Sequence, residues 1–143
     1  MNFINKIKDY LKSFFPSYEY EEVLITKKVI NNIIELARQA HPKEFIILLK
    51  GNIKNKKLTI TSLIFQSYQA SENASAIKMD LPLMSSVYGS CHGHPGYSNK
   101  PSGQDLRFFN KYPGIHLIIC KPYTSDSIKG YDANGNEVGF KIV

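Results

Sequence analysis

Residues 91–105 read Cys91-His92-Gly93-His94-Pro95-Gly96-Tyr97-Ser98-Asn99-Lys100-Pro101-Ser102-Gly103-Gln104-Asp105, a stretch that leads from a strand through a loop into a helix. If residues 91–94 are extended, His92 and His94 sit at i and i+2 and project from one face, so two imidazoles can share one metal ion. Pro95, Gly96 and Pro101 bracket a loop that turns the chain back. The helix begins at Ser102, and Asp105 lies in its first turn, where the helix dipole favours a carboxylate that can point toward the histidines. Two His and one Asp leave a fourth position for water, the composition of a catalytic rather than a structural zinc site. Zinc lowers the pKa of such a water to about 7, giving a hydroxide-like nucleophile at neutral pH.

Ser102-x-x-Asp105 also fits a capping box, with the serine oxygen taking an N–H and the acid reaching back. Capping alone accounts for those two residues, but not for two same-face histidines just before them. Cys91 invites a thiol-nucleophile reading with His92 or His94 as base. Neighbouring strand residues do not bring a thiol and an imidazole into line, so this reading fails. His116 opens an apolar strand and reads as a packed or edge histidine rather than a ligand. His41 belongs to a helix-to-strand turn.

Outward from this stretch, Ser86–His92 is a strand, Ser102–Tyr112 a helix and His116–Lys121 a strongly apolar strand. Residues 128–143 contain Asp132-Ala133-Asn134-Gly135 as the turn of a final hairpin. Upstream, Val23–Ile25 is a short strand, and Thr26 caps a helix through Val29, Ile30, Ile33, Ile34, Leu36 and Ala37 that stops near His41-Pro42. Phe45–Leu49 and Leu58–Phe65 form a hairpin, with the basic Lys50–Lys57 stretch as the turn between them. Residues 66–76 are a polar loop, and 77–83 alternate moderately. Residues 3–15 are an amphipathic helix ended by Pro16, which docks on its own domain or on a second copy. The expected organisation is therefore this helix (1–16) and one domain (17–143). The mixed element order gives an α+β, three-layer α/β/α fold with a mixed, largely antiparallel sheet.

A chain of 143 residues with 43% hydrophobic and 21% charged residues suits one self-sufficient globular domain. The net charge of +6 is spread along the chain, so no nucleic-acid partner is expected. No run reaches the ~18 apolar residues of a membrane span, and no leader pattern opens the chain, so the expected compartment is the cytoplasm. Two cysteines, Cys91 and Cys120, are too few for a disulfide framework and lack C-x-x-C spacing.

The pattern His-x-His, seven residues, then Ser-x-x-Asp resembles the signature of the JAMM (MPN+) metalloproteases, filled here by His92, His94, Ser102 and Asp105. An upstream glutamate in a His-Pro-x-Glu context before an apolar strand is matched by His41-Pro42-Lys43-Glu44. The resemblance spans about residues 20–125 and implies a JAB/MPN domain of the cytidine-deaminase-like type. It implies that His92, His94 and Asp105 hold Zn2+, that zinc-bound water is the nucleophile, that Glu44 is the general base and that Ser102 donates to the oxyanion. It further implies hydrolysis of the amide after the C-terminal glycine of a ubiquitin-like modifier or sulfur-carrier protein. A homodimer stays open. Gly93 departs from the Ser or Thr that many members carry; its side chain would point away from the metal. The alternative is a non-catalytic scaffold of the same fold, whose members typically lack a ligand. The zinc deaminase pattern and His-Glu-x-x-His are both absent.

Overall fold

The computed structural model describes residues 2–4, 6, 7, 19–65 and 86–143. The expected helix over 3–15 falls mostly outside them, as do the boundary at residue 16, the 66–76 loop and the 77–83 segment.

Continuous apolar runs buried on both faces make the central strands, and helical spacing makes the two α-helices that flank the sheet. The strands are β1 (Glu22–Ile25), β2 (Phe45–Lys54), β3 (Lys57–Ile64), β4 (Val87–Gly93), β5 (Ile115–Ile119), β6 (Ile128–Tyr131), β7 (Glu137–Val138) and β8 (Lys141–Ile142). Helix α1 (Lys27–Ala40) starts at Thr26, whose hydroxyl accepts from the Val29 N–H, and stops at His41. Helix α2 (Gly103–Lys111) lies between β4 and β5. The eight strands among the described residues join one sheet in the order β7-β6-β5-β4-β2-β3-β1-β8. The pairs β1–β3, β1–β8 and β4–β5 are parallel; the other four are antiparallel.

The helices take opposite faces. Val29, Ile30, Ile33 and Ala37 of α1 share a core with Ile25, Ile47, Leu49, Ile60, Leu117 and Ile119. Phe108 and Phe109 of α2 pack with Ile46, Leu48, Ile118 and Tyr131 on the other side. Because side chains alternate along a strand, β4 turns Cys91 toward α1 and Ser90 and His92 toward α2.

Two expectations are corrected. The Lys50–Lys57 stretch is strand on both sides of a two-residue turn, Asn55-Lys56, whose φ angles of 52° and 60° suit the right-handed twist of a hairpin. Its glycine and asparagine suggest a turn, but alternation carries Lys50, Asn52 and Lys54 along the ladder instead. The hairpin turn at Asp132–Asn136 forms as expected, yet it joins only β6 and β7; residues 141–142 leave to pair with β1. Val138 and Lys141 therefore stand within ~11 Å of each other although they belong to opposite ends of the sheet order, so the sheet is strongly rolled. Phe140, between them, packs against the α1 side of the core.

Gly93 faces α1, away from His92. A Cβ there would run into the ring of Phe45, which lies opposite it in the ladder and is 6% exposed. Glycine at 93 and phenylalanine at 45 are thus a complementary pair. Gly93→Ser is expected to destabilise the fold by about 1–3 kcal/mol through overpacking. Adding Phe45→Leu should recover part of that loss, and strictly additive urea-unfolding free energies would disprove the pairing.

Candidate metal centre

The site forms where the carboxyl end of β4 meets the start of α2. His92 is the penultimate residue of β4, and His94 follows the strand, its N–H held by the Ile119 carbonyl. The capping box sets Asp105: its N–H donates to Ser102 Oγ at 3.1 Å, and its Oδ2 accepts from the Ser102 N–H at 2.8 Å. That geometry turns the carboxylate toward the strand. His92 Nδ1 lies 3.3 Å from Asp105 Oδ1, and His94 Nε2 lies 3.0 Å from Oδ2. His94 donates its Nδ1 hydrogen to the Ser98 carbonyl at 3.0 Å, which leaves Nε2 facing the carboxylate.

The antiparallel register sets Phe45 opposite Gly93, so Glu44, one residue before β2, comes beside His94. Glu44, Ile46, His92, His94, Gln104 and Asp105 line one cleft. Ser102 is not among its lining residues; its side chain caps the helix. Cys91 is buried on the α1 side, where burial pushes its thiol far up, and Cys91 and Cys120 are both free. His41 sits in the helix-to-strand turn, its Nδ1 2.7 Å from the Tyr123 hydroxyl.

Two residues behind the site carried little sequence signal. Ser90 Oγ lies 2.8 Å from His92 Nε2 and 2.7 Å from His116 Nδ1, and all three side chains are buried. His116 is a packed histidine as expected, stacked on Phe109. The available signals were the same-face spacing of Ser90 and His92 and the lone polar residue of strand β5.

Among the described residues, His92, His94 and Asp105 do not stand as an open metal cage; they are closed on one another by hydrogen bonds. Their donor chemistry nevertheless fits zinc. Two ligands of a tetrahedral zinc with bonds of ~2.0–2.1 Å lie ~3.3 Å apart, close to the contacts already present.

A family model for prokaryotic homologs of the JAB domain matches residues 26–131. The chain belongs to this family. It is 28% identical over 123 residues to a probable metalloprotease of Haloferax volcanii, covering 80% of this chain and 76% of that one. A solved structure described as JAMM, a metalloprotease-like zinc site in the proteasome and signalosome, superposes with a TM-score of 0.66 at 32% identity, covering 86% of this chain and 99% of that one. A JAB1/MPN domain protein from Archaeoglobus fulgidus gives 0.65 at 32%, with coverages of 86% and 98%. A protein from Desulfitobacterium hafniense, at 0.60 and 21%, shares the fold over 85% of this chain and 91% of its own. The fold is thus the JAB/MPN domain.

Burial pushes the Asp105 carboxyl up, but hydrogen bonds from His92, His94 and the Ser102 N–H outweigh it and hold the group well below the usual carboxylate range. The bond to Asp105 holds His94 above its ordinary value. Asp105 contributes stability that is complete above its unfolded pKa of about 3.9 and is lost as pH falls; His94 contributes stability complete below about 6.5 and lost as pH rises through its raised value. Thermal unfolding of the chelator-treated protein is expected to peak between about pH 4 and 6.5, and Asp105→Asn to flatten both limbs. A wild-type profile with no maximum there would contradict the ion pair.

Proposed function

We propose that this protein is a zinc-dependent peptidase that hydrolyses the amide bond after the C-terminal glycine of a ubiquitin-like modifier or a related sulfur-carrier protein. The observation that carries the reading is the convergence of His92, His94 and Asp105 in one cleft with Glu44 at its rim. Kinship with the JAMM zinc-site structure and with the Haloferax metalloprotease supports the hydrolase class and the metal.

His92 Nδ1, His94 Nε2 and the Asp105 carboxylate would hold the ion. Zinc bound there supplies Lewis-acid polarisation of the scissile carbonyl and lowers the pKa of water to about 7. Glu44 takes a proton from the attacking water and delivers it to the departing amine. Ser102 Oγ accepts the Asp105 N–H through a lone pair, which leaves its own hydrogen to donate to the oxyanion; capping and catalysis therefore use different parts of one hydroxyl. A thin, extended C-terminal tail suits a narrow cleft. The free cysteines Cys91 and Cys120 support action in a reducing cytoplasm. No described helix is long and apolar enough to cross a membrane.

Elemental analysis is expected to find one zinc per chain, lost when His92→Ala and His94→Ala are combined. Glu44→Gln should keep the metal and lower cleavage of ubiquitin-like conjugates about 100- to 10,000-fold. A chain that takes up no zinc at neutral pH would sink the reading and favour a scaffold. For Ser102, the Ala variant should lose about 1 kcal/mol of stability with its cap. Ser102→Asp should keep the cap, having no hydrogen to donate, and lose rate alone; unchanged turnover in Ser102→Asp would remove the oxyanion role.

A further inference from the structure

Behind the candidate ligands runs a dry line of hydrogen bonds that the proposed reaction does not itself use. Ser90 and His116 are paired across the parallel β4–β5 ladder and are 0% exposed; His92 is 3% exposed. Phe109 stacks on His116 with centroids 4.6 Å apart, and Phe108 and Phe109 meet His92 edge-on. No buried polar side-chain atom among the described residues lacks a partner.

The direction of each bond follows from its far end. The Tyr112 carbonyl can only accept, so His116 Nε2, 2.7 Å away, carries a hydrogen. Burial pushes the His116 imidazole down to about 4, so the ring is neutral and its Nδ1 is bare. That bare nitrogen takes the one hydrogen of Ser90 at 2.7 Å. The Ser90 oxygen is then an acceptor toward His92, whose Nε2, at 2.8 Å, must donate. Only Nδ1 of His92 is left to face Asp105, and it gives that carboxylate a second hydrogen when no metal is bound. His94 is supported differently: its Nδ1 hydrogen goes to the Ser98 carbonyl, so it offers Nε2. The two histidines thus present different ring atoms to one carboxylate.

We infer that Ser90 and His116 are positioning residues that keep the hydrogen of His92 on Nε2 and commit its Nδ1 to the metal. The inference rests on His92 being a ligand, as proposed above. The polarity of the line behind it comes from the Tyr112 carbonyl together with the neutral, fully buried His116 ring, and neither depends on a metal. Hydrogen-bonded supports of this kind typically change metal affinity about 10- to 100-fold when removed.

Histidine-labelled NMR of the wild-type chain, metal-free and cadmium-loaded, tests this directly. His116 is expected to carry hydrogen on Nε2 alone, and His92 to carry it on Nε2 in both states with cadmium coupled to Nδ1. Cadmium coupled to His92 Nε2, or His116 with its hydrogen on Nδ1, would overturn the inference. By chelator competition, Ser90→Ala and His116→Leu should weaken zinc binding about 10- to 100-fold. His116→Asn, whose amide oxygen can accept where Nδ1 does, should restore it. Equal affinity across the set would also overturn the inference. If the wild-type chain takes up no metal, the peptidase reading fails, and the metal-free ring states alone decide the line.

Discussion

One carboxylate fastens the helix layer to the sheet at the candidate metal centre. Asp105 accepts the N–H that opens α2, and its two oxygens face His92 and His94 from β4. A charge shielded from most solvent is stable only when its lone pairs are occupied, and bonds to an ionised group are roughly twice as strong as neutral ones. The requirement acts in both directions. The helix start must lie over the end of β4 for the acid to be satisfied, and the acid must be satisfied for the helix start to lie there. A metal at the same point would take over the role of counter-charge.

The division of the sheet into an apolar face under α1 and a partly polar face under α2 follows from alternation along β4. Cys91 joins the hydrocarbon side, whereas Ser90 and His92 turn toward Phe108 and Phe109. Polar groups in such surroundings are costly unless every donor and acceptor is matched. Matching is achieved with side chains from two strands and one backbone carbonyl. Aromatic walls on both imidazoles keep competing water from that line.

His92, His94, Ser102 and Asp105 were legible in the sequence because their geometry is local: a two-residue strand repeat and a three-residue helix start. Glu44 was legible only through the family pattern, since its approach to His94 depends on Phe45 standing opposite Gly93 in the ladder. Ser90 and His116 were illegible as partners because a parallel pairing, invisible to periodicity, unites them. The Lys50–Lys57 stretch misled through composition, its glycine and asparagines masking a strand alternation. Strand β8 has two residues, too few to show a period, and its place beside β1 is set by the rolled sheet.

That rolled sheet bears on how the chain assembles. Strand β1 is made early and finds one neighbour in β3, but its other neighbour is β8, from the far end of the sequence. Contacts between such distant segments carry a loop-closure entropy that grows, though slowly, with separation, and they tend to form late. Strand β4, which carries His92, by contrast is flanked by β2 and β5 and enclosed between residues already joined. The order of events that follows is a centre organised first and a rim closed last. The outermost strands would then be the first to open under stress while the histidines and their acid stay in place.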